Sequence, residues 1–429
     1  MVAAKPNSMW NSSRYIVVMS LAAAIALVRG FFVAGILDLP SFGLYATVLA
    51  AGMFSSTLLS FGEIERTIKS FPRLWIVEHH RASMLEQVDK SLLIMVRRAG
   101  AVFVVLAAGT FSDAMQSSAR SGILVVLIAL GAALSSLYAS AIRATGDIDL
   151  LARNSLLRAV IVIAFGLSGA YFFNWQGALL GEVMAAILGA AITRHSAVRK
   201  AQSFVGTRRT FADDATAPSF DGGRWLFAAG LLVSAPVYLD RAFVASAYGA
   251  AMVGTFGFLM LFVTGANTLT GIVAQKVGPQ LVKMEYQAGS VEAQVKLASG
   301  WVGFICVICV AGMAALALAF NYWPAQYFYQ KFNLHWEMIA AATLLCVLQV
   351  GVLLEFILIS RNHERAVFFA ACWYFSAILV VVLLRTLLGL SLVHLIWLLV
   401  FARLIHIAAQ ILFIGRIWHT GKRQLEPVK

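Results

Sequence analysis

Five arginines stand inside runs of apolar residues: Arg29, Arg97, Arg98, Arg241 and Arg403. A guanidinium stays charged at any physiological pH and presents a planar fork of donors that fits phosphate or carboxylate oxygens two at a time. Three carboxylates share such surroundings, Glu182, Asp240 and Glu355. A carboxyl held away from water can neutralise an arginine, take up a proton or bind sodium. The chemistry on offer is anion binding by the arginines and ion exchange by the acids. No phosphate-cradling Gly-rich loop with a Lys occurs, which argues against direct use of ATP, and His79 and His80 after Glu78 fit no zinc spacing. Cys306, Cys309, Cys346 and Cys372 all lie in apolar segments and read as packing residues rather than a disulfide or metal set. No cofactor is expected.

The surroundings explain why these charges matter. The chain has 429 residues, 61% hydrophobic and 12% charged, with a mean hydropathy of +0.83, a balance that water cannot solvate. A bilayer core about 30 Å thick takes about 20 apolar residues per helix. Spans of that length are expected near 15–37, 41–61, 91–111, 121–142, 153–173, 175–193, 225–247, 250–272, 299–320, 338–359, 366–388 and 391–413. Ile123 to Leu134 and Ala377 to Leu384 lack the alternation of a barrel strand, so the spans are helices. The expected fold is all-α and integral to the membrane, with about 12 transmembrane helices. Arg153 and Arg158 are placed at the cytoplasmic end of the fifth span, with their charges snorkelling to the surface.

Loops rich in Lys and Arg stay cytoplasmic. With the N-terminus inside, 25 of the 33 basic residues fall on the cytoplasmic side and three, Arg120, Lys331 and Arg385, in outer loops. The +13 net charge is thereby accounted for without nucleic acid, and both termini are expected in the cytoplasm. The segment Glu63 to Lys90 mixes apolar and charged residues in the manner of a helix lying on the membrane surface. Arg194 to Arg224 is the long break without an apolar run. It divides the chain into a six-helix bundle over 1–193, a linker over 194–224 and a second six-helix bundle over 225–429.

The halves echo each other. Arg29 opens Arg-Gly-Phe-Phe-Val-Ala-Gly, and 212 residues later Arg241 opens Arg-Ala-Phe-Val-Ala-Ser-Ala. Six helices return the chain to the same side, so the repeats are parallel, as in many transporters. Arg29 lies 15 residues past Arg14, about 22 Å along a helix, too deep to snorkel easily. Arg241 follows Pro236, which bends helices, and Arg403 is near the middle of the last span. Each can line a cationic cavity or serve as structural glue to a carboxylate or a helix carbonyl. Arg97 and Arg98, about seven residues into the third span, reach the headgroups or the same cavity. Asp240 can neutralise Arg241, Glu355 can be a gate residue, and these two with Glu182 are the candidates for ion coupling.

The stretches VRGFFVAG after Ala26, LPSFGLYA at Leu39 to Ala46 and SFGEIERTIKSFP at Ser60 to Pro72 resemble the opening of the polysaccharide biosynthesis (Wzx-like) flippases. LYASAIRATGD at Leu137 to Asp147 and YLDRAFVASAYG at Tyr238 to Gly249 extend the likeness into the second half. The resemblance implies the multidrug, oligosaccharidyl-lipid and polysaccharide exporter superfamily, with two six-helix bundles around a central cavity and alternating access. It further implies a bacterial inner-membrane protein that turns undecaprenyl-pyrophosphate-linked sugar units from the cytoplasmic to the periplasmic leaflet. The partners so implied are a lipid-linked anionic oligosaccharide, membrane lipid and other polysaccharide assembly proteins.

Two alternatives remain. A cation-coupled drug exporter of the same superfamily would bind cations, whereas the first span carries Arg29 and has Asp38 only at its outer end. A membrane-embedded polymerase or ligase needs an outer catalytic surface, and the longest outer loop, Asn321 to Glu337, offers only Lys331, His335 and Glu337. A transporter, not an enzyme, is the expectation.

Overall fold

The computed structural model describes residues 8–64, 67, 71, 81–109, 116–202, 224–286, 290–322 and 325–425. Among them there are helices and no strands. Without water to satisfy backbone groups, the internal hydrogen bonds of the helix are the natural solution for these apolar runs. In the first half α1 (Ser8–Ile36), α2 (Leu39–Ser60), α3 (Arg81–Gly109) and α4 (Gln116–Ala144) follow in order. Asp38 stops the chain between the first two: its side chain accepts a hydrogen bond from Ser41 N at 3.2 Å, and Pro40 lies in the first turn of α2.

The next 55 residues, Ile148–Gln202, depart from helical geometry only at Phe173 and Asn174. There the chain reverses into α5 (148–172) and α6 (175–202). Glycines make the hairpin possible. A Cβ on Gly169 would fall on the backbone of Gly177, one on Gly177 on Gly169, and one on Gly181 on Phe165. Small residues that let backbones touch are a recurrent basis of helix association in lipid. Asn174 takes φ 57° and ψ −151°, a sparsely populated conformation, and its Oδ1 accepts from Trp175 N at 2.7 Å. Asn174→Ala should lower thermal stability by about 1–3 kcal/mol, since it keeps the strain and loses the bond. Asn174→Gly should change it little, because relief of strain offsets that loss. Thermal unfolding in detergent checks both.

In the second half come α7 (Arg224–Tyr248), α8 (Ala250–Tyr286), α9 (Val291–Ala319) and the short α10 (Ala325–Lys331). A span in two pieces follows, α11 (Trp336–Val347) and α12 (Gly351–Ser360), joined by a 3-10 turn at Leu348–Val350. α13 (Glu364–Leu388) and α14 (Leu392–Leu425) complete the chain. Eleven helices among the described residues are long and apolar enough to cross a membrane, and one of these contains the reversal at Asn174. The all-α, twelve-span fold expected from hydropathy is therefore present in a multi-pass membrane protein.

Contacts divide the chain into two units, Met1–Phe227 with Val237–Ala242, and Ala228–Pro236 with Phe243–Lys429. In the first, α4 packs against α2, α3 and the α5–α6 hairpin, while α1 lies on that hairpin. Gly52 meets Ile128 and Gly131 meets Ala186 so closely that added Cβ atoms would come within 2.7 and 2.6 Å. In the second, α11 and α12 pack against α8, α9 and α14. Phe258 stacks on Phe332 at 4.3 Å between ring centroids, and Thr255 Oγ1 donates to Phe332 O at 3.0 Å.

Three local expectations change. Residues 81–90 are not a separate helix but begin α3, and Phe71 and Thr67 are buried, with Thr67 Oγ1 3.0 Å from Ser140 Oγ. The rest of the segment from Glu63 to Arg81 lies mainly outside the described residues. The break expected from 194 begins as helix, because α6 runs on to Gln202; residues 203–223 lie outside the described residues. The tenth span is not one straight helix: at its 3-10 turn Gln349 Nε2 donates back to Leu345 O at 2.9 Å.

Candidate functional site

The first unit places Arg29 of α1 against Glu182 of α6, with a hydrogen-bonded ion pair from Arg29 Nη1 to Glu182 Oε1. Tyr45 of α2 donates its hydroxyl to the same oxygen at 2.7 Å. Glu182 and Tyr45 are buried, and the Arg29 side chain is nearly so. Space for this comes from Gly166 of α5, where an added Cβ would stand 3.7 Å from Glu182 Oε1 and 3.8 Å from Arg29 Cδ. The hairpin thus carries Glu182 on one arm and, on the other, a glycine that leaves room for it. Arg29 Nε is buried with no hydrogen-bond partner.

Arg158 departs from the expectation that it snorkels. It lies across Gly189, whose absent side chain leaves room 3.1 Å from Arg158 Cγ, and it interacts electrostatically with both Glu182 and Arg29. Arg153, one turn earlier, is exposed. Two guanidiniums thus act on one carboxylate, which leaves one positive charge in formal excess in this grouping of described residues. No single stretch of sequence carries the signal for this grouping. It needs the glycine pattern 166, 169, 177, 181 and 189 read as one closely packed hairpin.

The other candidates are spread out. Arg98 donates to the carbonyls of Leu59 at 3.1 Å and Ser60 at 3.3 Å and lies over the Phe61 ring, so it closes the C-terminus of α2. Arg98→Ala should cost about 2 kcal/mol of stability, because two carbonyls at a helix end lose a charged donor; unfolding in detergent measures it. Arg97 is exposed on the surface of α3. Asp240 and Arg241 interact electrostatically with each other. Asp240 Oδ1 and Arg241 Nε are buried without hydrogen-bond partners, an arrangement that native structures seldom leave unexplained. Arg29 and Arg241, matched in sequence, therefore differ in surroundings: one is ion-paired with a distant glutamate, the other interacts electrostatically with its own neighbour.

In the second unit, Arg403 and Glu355 belong to a cluster that sequence reading only half identifies. Arg403 Nη1 lies 2.9 Å from His406 Nδ1, and Arg403 Nη2 donates to Gln349 Oε1 at 3.5 Å. Gln410 Nε2 is 3.0 Å from Glu355 Oε1 and 3.2 Å from His406 Nε2. His406 stacks on Tyr374 with centroids 5.1 Å apart, and His406 and Gln410 are both 0% exposed. The missed signal was spacing: 403, 406 and 410 fall on one helix face, three polar residues in an otherwise apolar run.

No family model matches the chain, and no curated protein matches it. Solved structures do. One, described as an outward-facing conformation of a multidrug resistance MATE family transporter of the MOP superfamily, aligns over 96% of this chain and 95% of its own at 13% identity, TM-score 0.66. An inward-facing conformation of a multidrug resistance MATE family transporter aligns over 99% and 97% at 14% identity, TM-score 0.62. A third, a MOP superfamily transporter from Pyrococcus furiosus reported with reverse polarity of its binding pocket suggesting a different function, aligns over 96% and 97% at 14% identity, TM-score 0.57. At these identities the likeness concerns the fold: this chain has the fold of the MATE transporters of the MOP superfamily.

Proposed function

We propose that this protein is a flippase that moves an anionic, undecaprenyl-pyrophosphate-linked oligosaccharide from the cytoplasmic to the periplasmic leaflet of a bacterial inner membrane by alternating access. The observation that carries the reading is the excess guanidinium of the grouping in the first unit, where Arg29 is ion-paired with Glu182 and Arg158 acts on the same carboxylate electrostatically. A fixed positive charge among membrane spans is costly unless something anionic offsets it. A pyrophosphate supplies that offset, and its oxygens suit the fork of a guanidinium. The partnerless buried atoms of Arg29 and Arg241 add donors in the same chemistry. The sequence likeness to flippases at Ala26 to Pro72 supports the lipid-linked substrate, and the two conformations of the structural neighbours support alternating access. The charge asymmetry of the loops supports cytoplasmic termini.

Drug export is the second reading, and the multidrug resistance transporters that share the fold favour it. The two readings divide on ligand charge. Titration of the purified protein with a fluorescent pyrophosphate-linked lipid and with a cationic dye tests them directly. The flippase reading expects saturable binding of the anion, weakened at least about tenfold in Arg29→Ala, since a charge-assisted hydrogen bond contributes about 1.5–3 kcal/mol. Saturable binding of the dye alone supports export.

A further inference from the structure

The walls that hold Arg29 continue beyond it. Arg29 stands on α1, and Gly166 of α5 borders its side chain. About 10 Å further along α1, the ends of the same two helices border a cavity of about 600 Å³, within the roughly 300–1,000 Å³ of small-molecule sites. Ile36 and Asp38 at the end of α1 line one wall, and Tyr171, Phe172, Phe173 and Asn174 at the end of α5 line the other. All belong to the first unit, and under the orientation proposed above this is its outer end. Tyr171 lies 18 residues (153 to 171) past the exposed Arg153, about 27 Å along α5, against a bilayer core about 30 Å thick. The cavity is therefore at the level of the lipid headgroups.

Its lining is amphipathic. Tyr171, Phe172 and Phe173 are consecutive, so their side chains fan about 100° apart around α5, yet they are 75%, 70% and 71% exposed. The last turn of α5 stands clear of its neighbours and offers its rings to whatever enters. Asp38 Oδ1 accepts from Ser41 N, and Asn174 Oδ1 accepts from Trp175 N. The second Asp38 oxygen, the Asn174 amide hydrogens and the Tyr171 hydroxyl make no hydrogen bond among the described residues. That leaves an acceptor, a pair of donors and a hydroxyl around the rings. None of the described residues lining the cavity is basic, and Asp38 repels a phosphate. The fitting ligand is uncharged, with an apolar face for the rings and a rim of hydroxyls for the carboxylate and the amide. A sugar ring has both.

We infer that this cavity is a saccharide subsite, which takes the sugars of the lipid-linked substrate while Arg29 takes its pyrophosphate. The two parts of such a ligand differ in charge, and the two parts of the α1–α5 seam differ in the matching sense: guanidinium within, carboxylate and aromatic rings at the mouth. Sugars attached directly to a pyrophosphate held at Arg29 extend along the seam towards Asp38. Tyr171 and Phe172 supply stacking surface, and Asp38 and Asn174 fix the hydroxyls.

The subsite rests on the flippase reading. Titration of the intact protein with two fluorescent pyrophosphate-linked lipids, one bearing an oligosaccharide and one without sugar, tests them separately. Wild type should bind the sugar-bearing lipid at least about tenfold more tightly. In the double variant Tyr171→Ala, Phe172→Ala that advantage should fall below about twofold, while the sugar-free lipid binds as before. Asp38→Asn keeps an acceptor for Ser41 N and should lose about fivefold on the sugar-bearing lipid alone. Rings that only anchor the protein among headgroups predict equal binding of the two lipids by wild type, or an advantage that survives in the variants; either result would overturn the subsite. Loss of cationic-dye binding in these variants with both lipids unaffected would assign the cavity to a cation and overturn it equally. Equal, saturable binding of both lipids leaves the flippase reading standing; binding of neither removes that reading and the subsite together.

Discussion

Glu182→Gln is expected to destabilise the folded protein by about 3–5 kcal/mol, the usual consequence of removing one partner from a buried ion pair. The reason is asymmetric. Arg29 cannot shed its charge, so loss of the carboxylate leaves the Arg29 guanidinium unpaired and repelled by Arg158. Arg29→Ala is milder, because Glu182 keeps the Tyr45 hydroxyl and the Arg158 charge. Tyr45→Phe removes one hydrogen bond and should cost about 1 kcal/mol. Arg29→Ala combined with Glu182→Gln should recover part of the loss in a double-mutant cycle. Thermal unfolding of the four variants measures this, and strictly additive effects would show that the two residues are not coupled.

A second large effect belongs to the hairpin. Gly169→Ala or Gly177→Ala places a methyl on the backbone of the opposite arm, which cannot give way as a flexible side chain can. Separating α5 from α6 also separates Glu182 from the Gly166 cradle and from Arg158. Either substitution should reduce monodisperse protein in detergent several-fold. Gly300→Ala, Gly303→Ala and Gly312→Ala meet nothing within 4 Å and should leave it unchanged. Fluorescence-detected size exclusion compares the two groups; equal yields would mean that the arms do not need their close approach.

Much of the fold was legible because lipid imposes one rule on every span, about 20 apolar residues closed by helical hydrogen bonds. The rule reached even the reversal at Phe173 and Asn174, where apolar runs meet at a residue able to adopt φ 57°. It could not reach the break at Leu348–Val350, since Gln349 and Gly351 do little to hydropathy averaged over a span. The arginines announced themselves by the cost of charge in lipid. Their partners did not: Glu182 lies 153 residues from Arg29 in the chain, and only tertiary contact joins them. Arg158 was misplaced because its position near a span end favours snorkelling, and nothing local says that Gly189 makes room inside. His406, Gln410 and Gln349 are neutral and polar, so a search for charges passes over the residues that complete the second cluster.

The account turns on whether the excess positive charge around Glu182 serves an anionic lipid. The most direct measurement is translocation of a fluorescent pyrophosphate-linked oligosaccharide lipid in liposomes containing wild type, Arg29→Ala or Arg241→Ala, with equal folded protein confirmed in each. Translocation by wild type that falls at least about tenfold in Arg29→Ala and measurably in Arg241→Ala is the predicted result. Equal rates in all three, or transport of a cationic dye in place of the lipid, would contradict it.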